Sequence, residues 1–600
     1  MKFLNYIACL ILATTLSGCF ELDKTPEGIL STATAFGSSA EIEKYVNQFY
    51  KTGLRFQSGG VGSAKGIAFG DMNSDNLIGN VINTRLAGET SLSDASSLSN
   101  YVQIRNLNFL INNQDNSADQ GDEFNHCIGE AYYFRAWYYY QMFVDYGPLS
   151  IVTEVLDPTQ EATQLKRNSR IEVANFILAD LDKAIELLPS LTTNATMRIH
   201  QDVALALKSE VALFEGTWEK YHKAKNDAFY DTNITEEQIA AYLQSAATAA
   251  KQVMDKGTWH ITTGNPLTVY RDLFITLDLS NNPEVLWWKK YDINDNIGHS
   301  VTRYLNKGGG MTGVSRAMID DYLTISGTPF VGQARSEAKQ TYGQELLPTV
   351  RDPRLSQTVC LPGQELRPNE AYVYGTPPLN GNSYHQNTTG FSILKYVEFN
   401  TTNEETIDGD GKSQAPAIQF RYADILLNYA EALAELNGAT HAAEIEAALN
   451  PLRERVGMPT VDFDREYNTD PSYPFKDLDK YIQVVRRERR VEKALEGRRL
   501  ENICRWAAAD VLIKDQTPEG VLFTGSDLPA AYTDLIYDQA GGNNLYLTGN
   551  PGDAKRYVIP FNNASYPNGW QFNLGRDYLL PIQPRMLSLT NGLWTQNPGW

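Results

Sequence analysis

The chain has 600 residues, with 52 lysines and arginines against 72 aspartates and glutamates, so its formal net charge is −20. This negative charge disfavours nucleic acid as a partner, because binding to a phosphate backbone depends on clustered Lys and Arg. A hydrophobic content of 42% excludes a largely disordered chain, and 33 tyrosines supply many flat apolar rings that carry a polar group.

The N-terminus has the features of a lipoprotein signal sequence. Lys2 supplies a positive charge, and residues 6–17 form an apolar run that falls short of the ~20 residues needed to span a bilayer. The run ends in Leu16-Ser17-Gly18-Cys19, which resembles a lipobox. The resemblance implies a signal peptide over residues 1–18, cleavage before Cys19 and attachment of fatty acids such as palmitate to Cys19. The alternative is an ordinary secreted protein with an accidental cysteine.

Helical periodicity recurs along the chain, with apolar residues three and four positions apart. This spacing predicts helices over residues 40–52, 100–113, 128–145, 171–188, 203–218, 239–253, 422–437, 442–456 and 478–513. Consecutive helices joined by short links are typical of antiparallel helix pairs in tetratricopeptide-like stacks, although no clean 34-residue repeat is present.

Residues 256–420 and the last 85 residues have a different character. They are rich in Gly, Pro and Asn, and they contain short β-type runs at residues 285–288 and 391–396. Long loops of this kind are usually functional when they are ordered. We therefore predict a mainly α protein with long ordered loops and a few short strands. Its N-terminal helical region (19–255) and its loop-bearing C-terminal region (256–600) are expected to pack as one globular unit.

Five segments, in order along nearly the whole chain, resemble the motifs of one family. They are residues 22–26 (LDKTP), 129–136 (GEAYYFRA) with 146–149 (YGPL), 420–432 (FRYADILLNYAEA), 487–499 (RERRVEKALEGRR), and 580–584 (LPIQP) with 596–599 (QNPG). Together with the lipobox, they make the chain resemble the SusD/RagB family of surface glycan-binding lipoproteins. The resemblance implies a lipid-anchored, cell-surface protein of the outer membrane. Such a protein captures oligosaccharides and delivers them, without cleaving them, to a TonB-dependent SusC-like porin.

The charged runs within these motifs are predicted to be structural. Arg489 with Glu492, and Glu496 with Arg499, have the spacing of ion pairs on the surface of a helix. No site for a metal or cofactor is predicted, because the seven histidines lack ligand spacing and two calcium-loop starts, at Asp71 and Asp408, lack the closing Glu.

No catalytic residue is predicted either, since motifs for nucleophilic or nucleotide chemistry are missing from the sequence. With 72 acidic residues, a glycosidase carboxylate pair stays open as an alternative. Cys127, Cys360 and Cys504 are widely spaced, so we expect them to be small buried hydrophobic residues.

The expected ligand is a neutral oligosaccharide or polysaccharide, which is recognised by aromatic rings together with polar groups that match its hydroxyls. The candidate contact residues are Asp71, Asn73, Arg85, Trp288, Tyr291, Tyr304, Tyr372 and Tyr384. Trp287 and Trp288 lie in a predicted strand, where neighbours face opposite sides, so at most one of them lines the site. A peptide-capturing RagB-like protein and a surface glycoside hydrolase are the alternative functions.

Overall fold

The computed structural model describes residues 35–58, 66–156, 164–367, 372–381, 383–399, 409–561 and 567–600. The signal peptide, Cys19 and the motif at residues 22–26 lie outside these ranges.

Within the described ranges, six long helices form the first half of the scaffold. They are α1 (Ser39–Gly53), α2 (Asn100–Asn112), α3 (Asp122–Tyr146), α4 (Arg170–Leu187), α5 (Gln201–Lys225) and α6 (Glu236–Asp255). From α2 to α6 each helix packs on the next one in sequence, and α1 packs on α3. Ser169 and Thr235 begin α4 and α6 with capping boxes, which satisfy the free N–H groups of the first turn. The helices predicted in this half are confirmed.

The described part of the second half combines short helices with three longer ones. The helices are α7 (Val269–Ile275), α8 (Val301–Leu305), α9 (Arg316–Asp321), α10 (Gly332–Ala338), α11 (Arg354–Thr358), α12 (Tyr422–Asn437), α13 (Ala442–Glu454), α14 (Phe463–Glu466), α15 (Lys480–Glu492), α16 (Arg499–Arg505), α17 (Ala509–Leu512) and α18 (Pro584–Leu589). Helix α12 packs against α5, α6, α13 and α15, so the helical layer continues from the first half into the second.

The strands are short and pair in small sheets. They are β1 (Leu77–Gly79), β2 (Val285–Lys289), β3 (Thr312–Val314), β4 (Glu365–Arg367), β5 (Tyr372–Val373), β6 (Ala417–Arg421), β7 (Leu522–Thr524), β8 (Tyr546–Leu547) and β9 (Arg556–Ile559). Antiparallel pairs join β1 to β3, β2 to β6 and β4 to β5, and β9 lies between β7 and β8. The predicted class, mainly α with a few short strands, is confirmed.

Strand β2 separates two hydrophobic cores. Trp287 belongs to the core of the long helices, and Trp288 belongs to the core beneath the loops of the second half. This alternation is the expected consequence of the two-residue period of a strand. Both rings are fully buried.

Two predicted elements differ from the structure. Residues 391–396 do not form a strand, because only Ile393 makes an isolated bridge, with Val359. The helix predicted over residues 478–513 is divided into α15, α16 and α17. Between α15 and α16 the backbone turns through Leu495 and Gly497, whose φ angles of 59° and 73° are left-handed and end a right-handed helix.

The prediction of surface ion pairs at residues 489–499 is wrong. These side chains are buried and pair with other elements. The pairs are Arg489 with Glu431, Glu492 with Arg354, Arg421 and Arg455, Glu496 with Lys395 and Arg421, and Arg499 with Asp75. Burial alone would raise the pKa of Glu492, but Arg455, Arg421 and Arg354 outweigh it and hold that pKa far below its usual range.

The structure also bears on the cysteines, on membrane-spanning helices and on metal sites. Cys127, Cys360 and Cys504 are buried free thiols, as predicted. No helix within the described ranges has the length and apolar character needed to cross a membrane. Among the same residues, no group of three or more His, Cys, Asp or Glu side chains is arranged to hold a metal ion.

Candidate ligand-binding site

The end of the β1–β3 ribbon organises the candidate site. Beyond the last pair of the ribbon, the Asn80 N–H donates to the carbonyl of Met311 at 3.0 Å. The neighbouring Gly310 N–H donates to the carbonyl of Tyr384 at 2.7 Å, which attaches the Tyr384 loop to the ribbon. Glycine is required at position 309, since a Cβ there would lie 2.3 Å from the His385 carbonyl oxygen.

Tyr304 and Tyr384 form a ring pair at this end of the ribbon. Their centroids are 5.4 Å apart and their planes meet at 70°, an edge-to-face arrangement. Tyr304 comes from α8, and both side chains are half-buried. The two rings therefore offer differently oriented apolar surfaces at one place.

Charged groups border the ring pair. The Arg303 guanidinium lies 5.6 Å from the centroid of the Tyr384 ring, and its Nη1 is 3.3 Å from the Asp410 carboxylate. The Tyr304 hydroxyl donates to that carboxylate at 3.5 Å. The Asp410 side chain is 74% exposed, so its oxygens are accessible to a ligand. One donor group and one acceptor group thus lie beside the rings.

Tyr372 contacts the segment that follows Tyr304. It is a half-buried residue of β5, and its hydroxyl donates to the carbonyl of Lys307 at 3.3 Å. Lys307 follows Tyr304 by three positions in the chain, so Tyr372 belongs to the same part of the surface.

The loop that carries Asp410 is fixed to the start of α8. The Gly411 N–H donates to Ser300 Oγ at 2.9 Å, and His299 and Ser413 exchange backbone hydrogen bonds of 3.0 and 2.8 Å. The buried His299 ring lies 2.9 Å, through Nε2, from the Ala415 carbonyl oxygen, and its Nδ1 accepts the Val301 N–H. Burial lowers the pKa of His299 to about 4, so the ring is neutral at physiological pH.

Asn73 and Arg85 line a separate cavity of about 590 Å³, here called the α3 cavity. Its walls come from residues 97–100, which lead into α2, from residues 140–142 and 144–146 at the end of α3, and from residues 497, 498, 500 and 501. Arg85 donates to the carbonyls of Asp577 and Tyr578 at 2.8 and 3.1 Å, and Asn73 Oδ1 accepts from Asn83 at 2.9 Å. The chain between Asn80 and Asn83 connects this cavity to the end of the ribbon.

Three predicted contact residues lie in the interior instead. Trp288 is fully buried, and Tyr291 is 4% exposed with its hydroxyl oxygen accepting the Gln57 N–H at 2.7 Å. A stacking ring needs an accessible face, and neither of these buried rings offers one. The buried Asp71 carboxylate accepts the Leu495 N–H at 3.0 Å and holds the segment after α15.

The sequence-based selection did not include Arg303, Asp410 or Asp145, a further residue of the α3 cavity. The sequence could have indicated Arg303 as a contact residue, because Arg303 adjoins Tyr304 in a loop-like segment. It could also have indicated Asp145, since an acidic residue near the C-terminus of a helix opposes the helix dipole. It could not have indicated Asp410, because the position of Asp410 beside Tyr304 depends on a tertiary contact across 106 residues.

The sequence profile of the SusD family matches residues 283–600, just over half of the chain. The chain belongs to the SusD family. A second profile, described as starch-binding and associating with the outer membrane, matches residues 22–213. The family resemblance of the sequence motifs is thereby confirmed.

Two curated relatives from Formosa agariphila match parts of this SusD-family chain. SusD-like protein P2 is 24% identical over 221 residues, which are 36% of this chain and 44% of the relative. SusD-like protein P38 is 22% identical over 396 residues, which are 63% of this chain and 66% of the relative. The chain thus matches less than two thirds of the length of either protein.

Solved SusD-like structures share the fold. A SusD-like carbohydrate-binding protein from Bacteroides fragilis NCTC 9343 superposes with a TM-score of 0.68 at 21% identity, covering 92% of this chain and 98% of that one. A laminarin-binding SusD-like protein gives a TM-score of 0.57 at 17% identity, covering 94% and 100%. These matches confirm the predicted tetratricopeptide-like helical scaffold.

Proposed function

We propose that this chain is a cell-surface lipoprotein that binds a neutral glycan at the Tyr304–Tyr384 ring pair without cleaving it. The edge-to-face ring pair, half-buried and bordered by Arg303 and Asp410, is the observation that carries the proposal. A sugar unit presents an apolar C–H face that packs on such rings. Its hydroxyls match the guanidinium donors and carboxylate acceptors at the edge of the pair.

The charges at the ring pair favour an uncharged ligand. Arg303 and Asp410 form an ion pair at 3.3 Å, so the positive and negative groups compensate each other locally. Tyr372 extends the aromatic surface beside Lys307. Asn73 and Arg85 remain proposed contact residues in the α3 cavity.

Membership of the SusD family supports the wider proposal. We propose that Cys19 carries the lipid anchor, that the protein is exposed on the outer membrane, and that it delivers glycans to a SusC-like TonB-dependent porin. The matching profile is described as starch-binding and associating with the outer membrane, and one structural neighbour is a laminarin-binding protein. Starch and laminarin are therefore the first glycans to test.

Isothermal titration with starch and laminarin oligosaccharides tests the binding site. We expect Tyr304→Ala and Tyr384→Ala each to weaken binding at least tenfold and to leave the melting temperature nearly unchanged. Tyr230→Ala is the matched control, because Tyr230 is a half-buried tyrosine in the connection between α5 and α6. Unchanged affinity in both ring variants would contradict this site.

Two measurements on the same protein separate the alternative functions. Analysis of products after long incubation with any bound glycan tests for a hydrolase. Glycan turnover that is abolished by changing one carboxylate would identify the protein as a hydrolase. Titration with a mixture of peptides tests for peptide capture. If the wild-type chain bound peptides but no glycan, and Tyr304→Ala lost the peptide binding, the ligand would be a peptide rather than a glycan.

A further inference from the structure

The α3 cavity contains a carboxylate in an unfavourable position. Asp145 lies in the last turn of α3 (Asp122–Tyr146) and lines the cavity. The C-terminus of a helix carries a partial negative charge, so this position favours a basic residue. Burial raises the pKa of Asp145, with Arg85 opposing this effect. Among the described residues, none donates a hydrogen bond to the Asp145 carboxylate.

Other polar groups of the cavity also have hydrogen-bond donors that are not used within the described parts of the chain. Gln141 lies one turn before Asp145 on the same helix, and its Oε1 accepts from Asn100 at 3.1 Å. Arg85 uses Nε and Nη2 to bind backbone carbonyls. Neither Gln141 Nε2 nor Arg85 Nη1 has an acceptor within the described parts of the chain. The cavity therefore offers two amide or guanidinium donors close to one acceptor carboxylate.

The charges that line the cavity cancel. Arg85 and Arg498 are positive, whereas Asp145 and Glu501 are negative, and Arg498 is already paired with Glu501 at 2.8 Å. A cation would be repelled by Arg85, and an anion would be repelled by Asp145. An uncharged molecule with several hydroxyl groups satisfies both residues. A volume of about 590 Å³ is within the range of small-molecule sites.

We infer that Asp145 is a further ligand-binding residue, which accepts hydroxyl hydrogen bonds from a sugar unit bound in the α3 cavity. This inference rests on the proposed function, because it assigns a second contact region to the same glycan-binding protein. An acidic residue that contacts the ligand but destabilises its own helix can be recognised by mutation. Its neutral replacement weakens ligand binding and leaves the folded protein as stable as before, or more stable.

The test uses starch and laminarin oligosaccharides, titrated into the wild-type chain and into Asp145→Asn. We expect Asp145→Asn to bind the oligosaccharide at least tenfold more weakly and to melt at the same or a higher temperature. Asp255→Asn is the matched control, since Asp255 is also in the last turn of a helix but is exposed and paired with Lys251. Its affinity should equal that of the wild type.

A second variant keeps the test valid if Asp145→Asn does not fold. Ser97 is an exposed residue of the cavity wall, and Ser97→Trp places a large ring where the sugar would lie. We expect the same loss of affinity. Wild-type affinity in a folded Asp145→Asn or Ser97→Trp variant, alongside weakened binding in Tyr304→Ala, would overturn this inference and leave the proposed function intact. Absence of binding of both glucans to the wild-type chain would overturn this inference together with the proposed glucan ligands.

Discussion

Arg421 and Glu492 form an ion pair with 2.6 Å between Nη1 and Oε1, and both side chains are fully buried. Arg421 precedes α12, and Glu492 is the last residue of α15. The same carboxylate also accepts hydrogen bonds from Arg354 and Arg455. One buried glutamate therefore joins three arginines from different elements.

This arrangement predicts that Glu492→Gln is strongly destabilising. Removal of the negative charge leaves Arg354, Arg421 and Arg455 close together in a fully buried site. Loss of one partner from a buried ion pair typically costs about 3–5 kcal/mol. We expect a fall of several degrees in the melting temperature, measured by differential scanning calorimetry.

Glu186→Gln is the control for this prediction. Glu186 pairs with Lys183 at 2.9 Å, but the two side chains are 66% and 60% exposed. Exposed pairs contribute little to stability because water and salt screen them. A melting temperature for Glu492→Gln as high as that of Glu186→Gln would contradict a structural role for the buried network.

The sequence predicted the long helices well because their apolar spacing is a local property. Tyr422, Ile425, Leu426 and Tyr429 form one stripe of α12, and that helix occurs where expected. The run at residues 391–396 failed because its apolar character fits a buried loop as well as a strand. Which charged residues pair could not be predicted either, because Glu492 and Arg354 are 138 positions apart.

The candidate site could be predicted only in part, because it also depends on tertiary contacts between residues that are far apart in the sequence. Tyr291 and Tyr304 occur in similar loop-like sequence, yet Tyr291 packs against His299 in the interior and Tyr304 contacts Tyr384 at the surface. Residue type and local spacing do not distinguish these environments. Burial is determined by tertiary packing, which only the structure provides.

The buried His299 predicts a loss of stability in acid. Its pKa is about 4 in the folded protein, against an ordinary value of about 6.5. Between these values the unfolded chain binds more protons, so stability is fully present above about pH 6.5 and decreases as the pH falls toward 4. The full displacement of the pKa corresponds to about 3 kcal/mol.

His299→Gln isolates this contribution. Glutamine retains an N–H donor for the Ala415 carbonyl but does not titrate. We expect the wild type to exceed the variant in melting temperature at pH 7.5, and the difference to shrink steadily toward pH 4.5. A melting-temperature difference that stays constant with pH would contradict the lowered pKa of His299. That pKa is lowered by burial and by Lys289, and the hydrogen bond to the Ala415 carbonyl partly opposes this shift.

Cys19→Ala tests the proposed anchor. Two acyl chains on one cysteine give stable membrane attachment, and without the thiol they cannot be added in the usual way. We expect the variant to leave the membrane fraction or to accumulate as an unprocessed precursor. Radiolabelled fatty acid and immunoblotting of cell fractions provide the measurement. Normal fatty-acid labelling of Cys19→Ala would show that the lipid is attached elsewhere.

The compensated charges at the ring pair predict that glycan affinity depends little on salt. Neutral hydrogen bonds contribute on the order of 1 kcal/mol each. After the cost of association, a handful of such contacts gives a dissociation constant roughly between micromolar and millimolar. Raising the salt concentration from about 0.01 M to about 1 M shortens the screening length from ~30 Å to ~3 Å. An uncharged ligand has no long-range attraction to lose, so we expect less than a twofold change in its dissociation constant by isothermal titration. A dissociation constant that rises tenfold or more over this range would instead identify a charged glycan as the ligand.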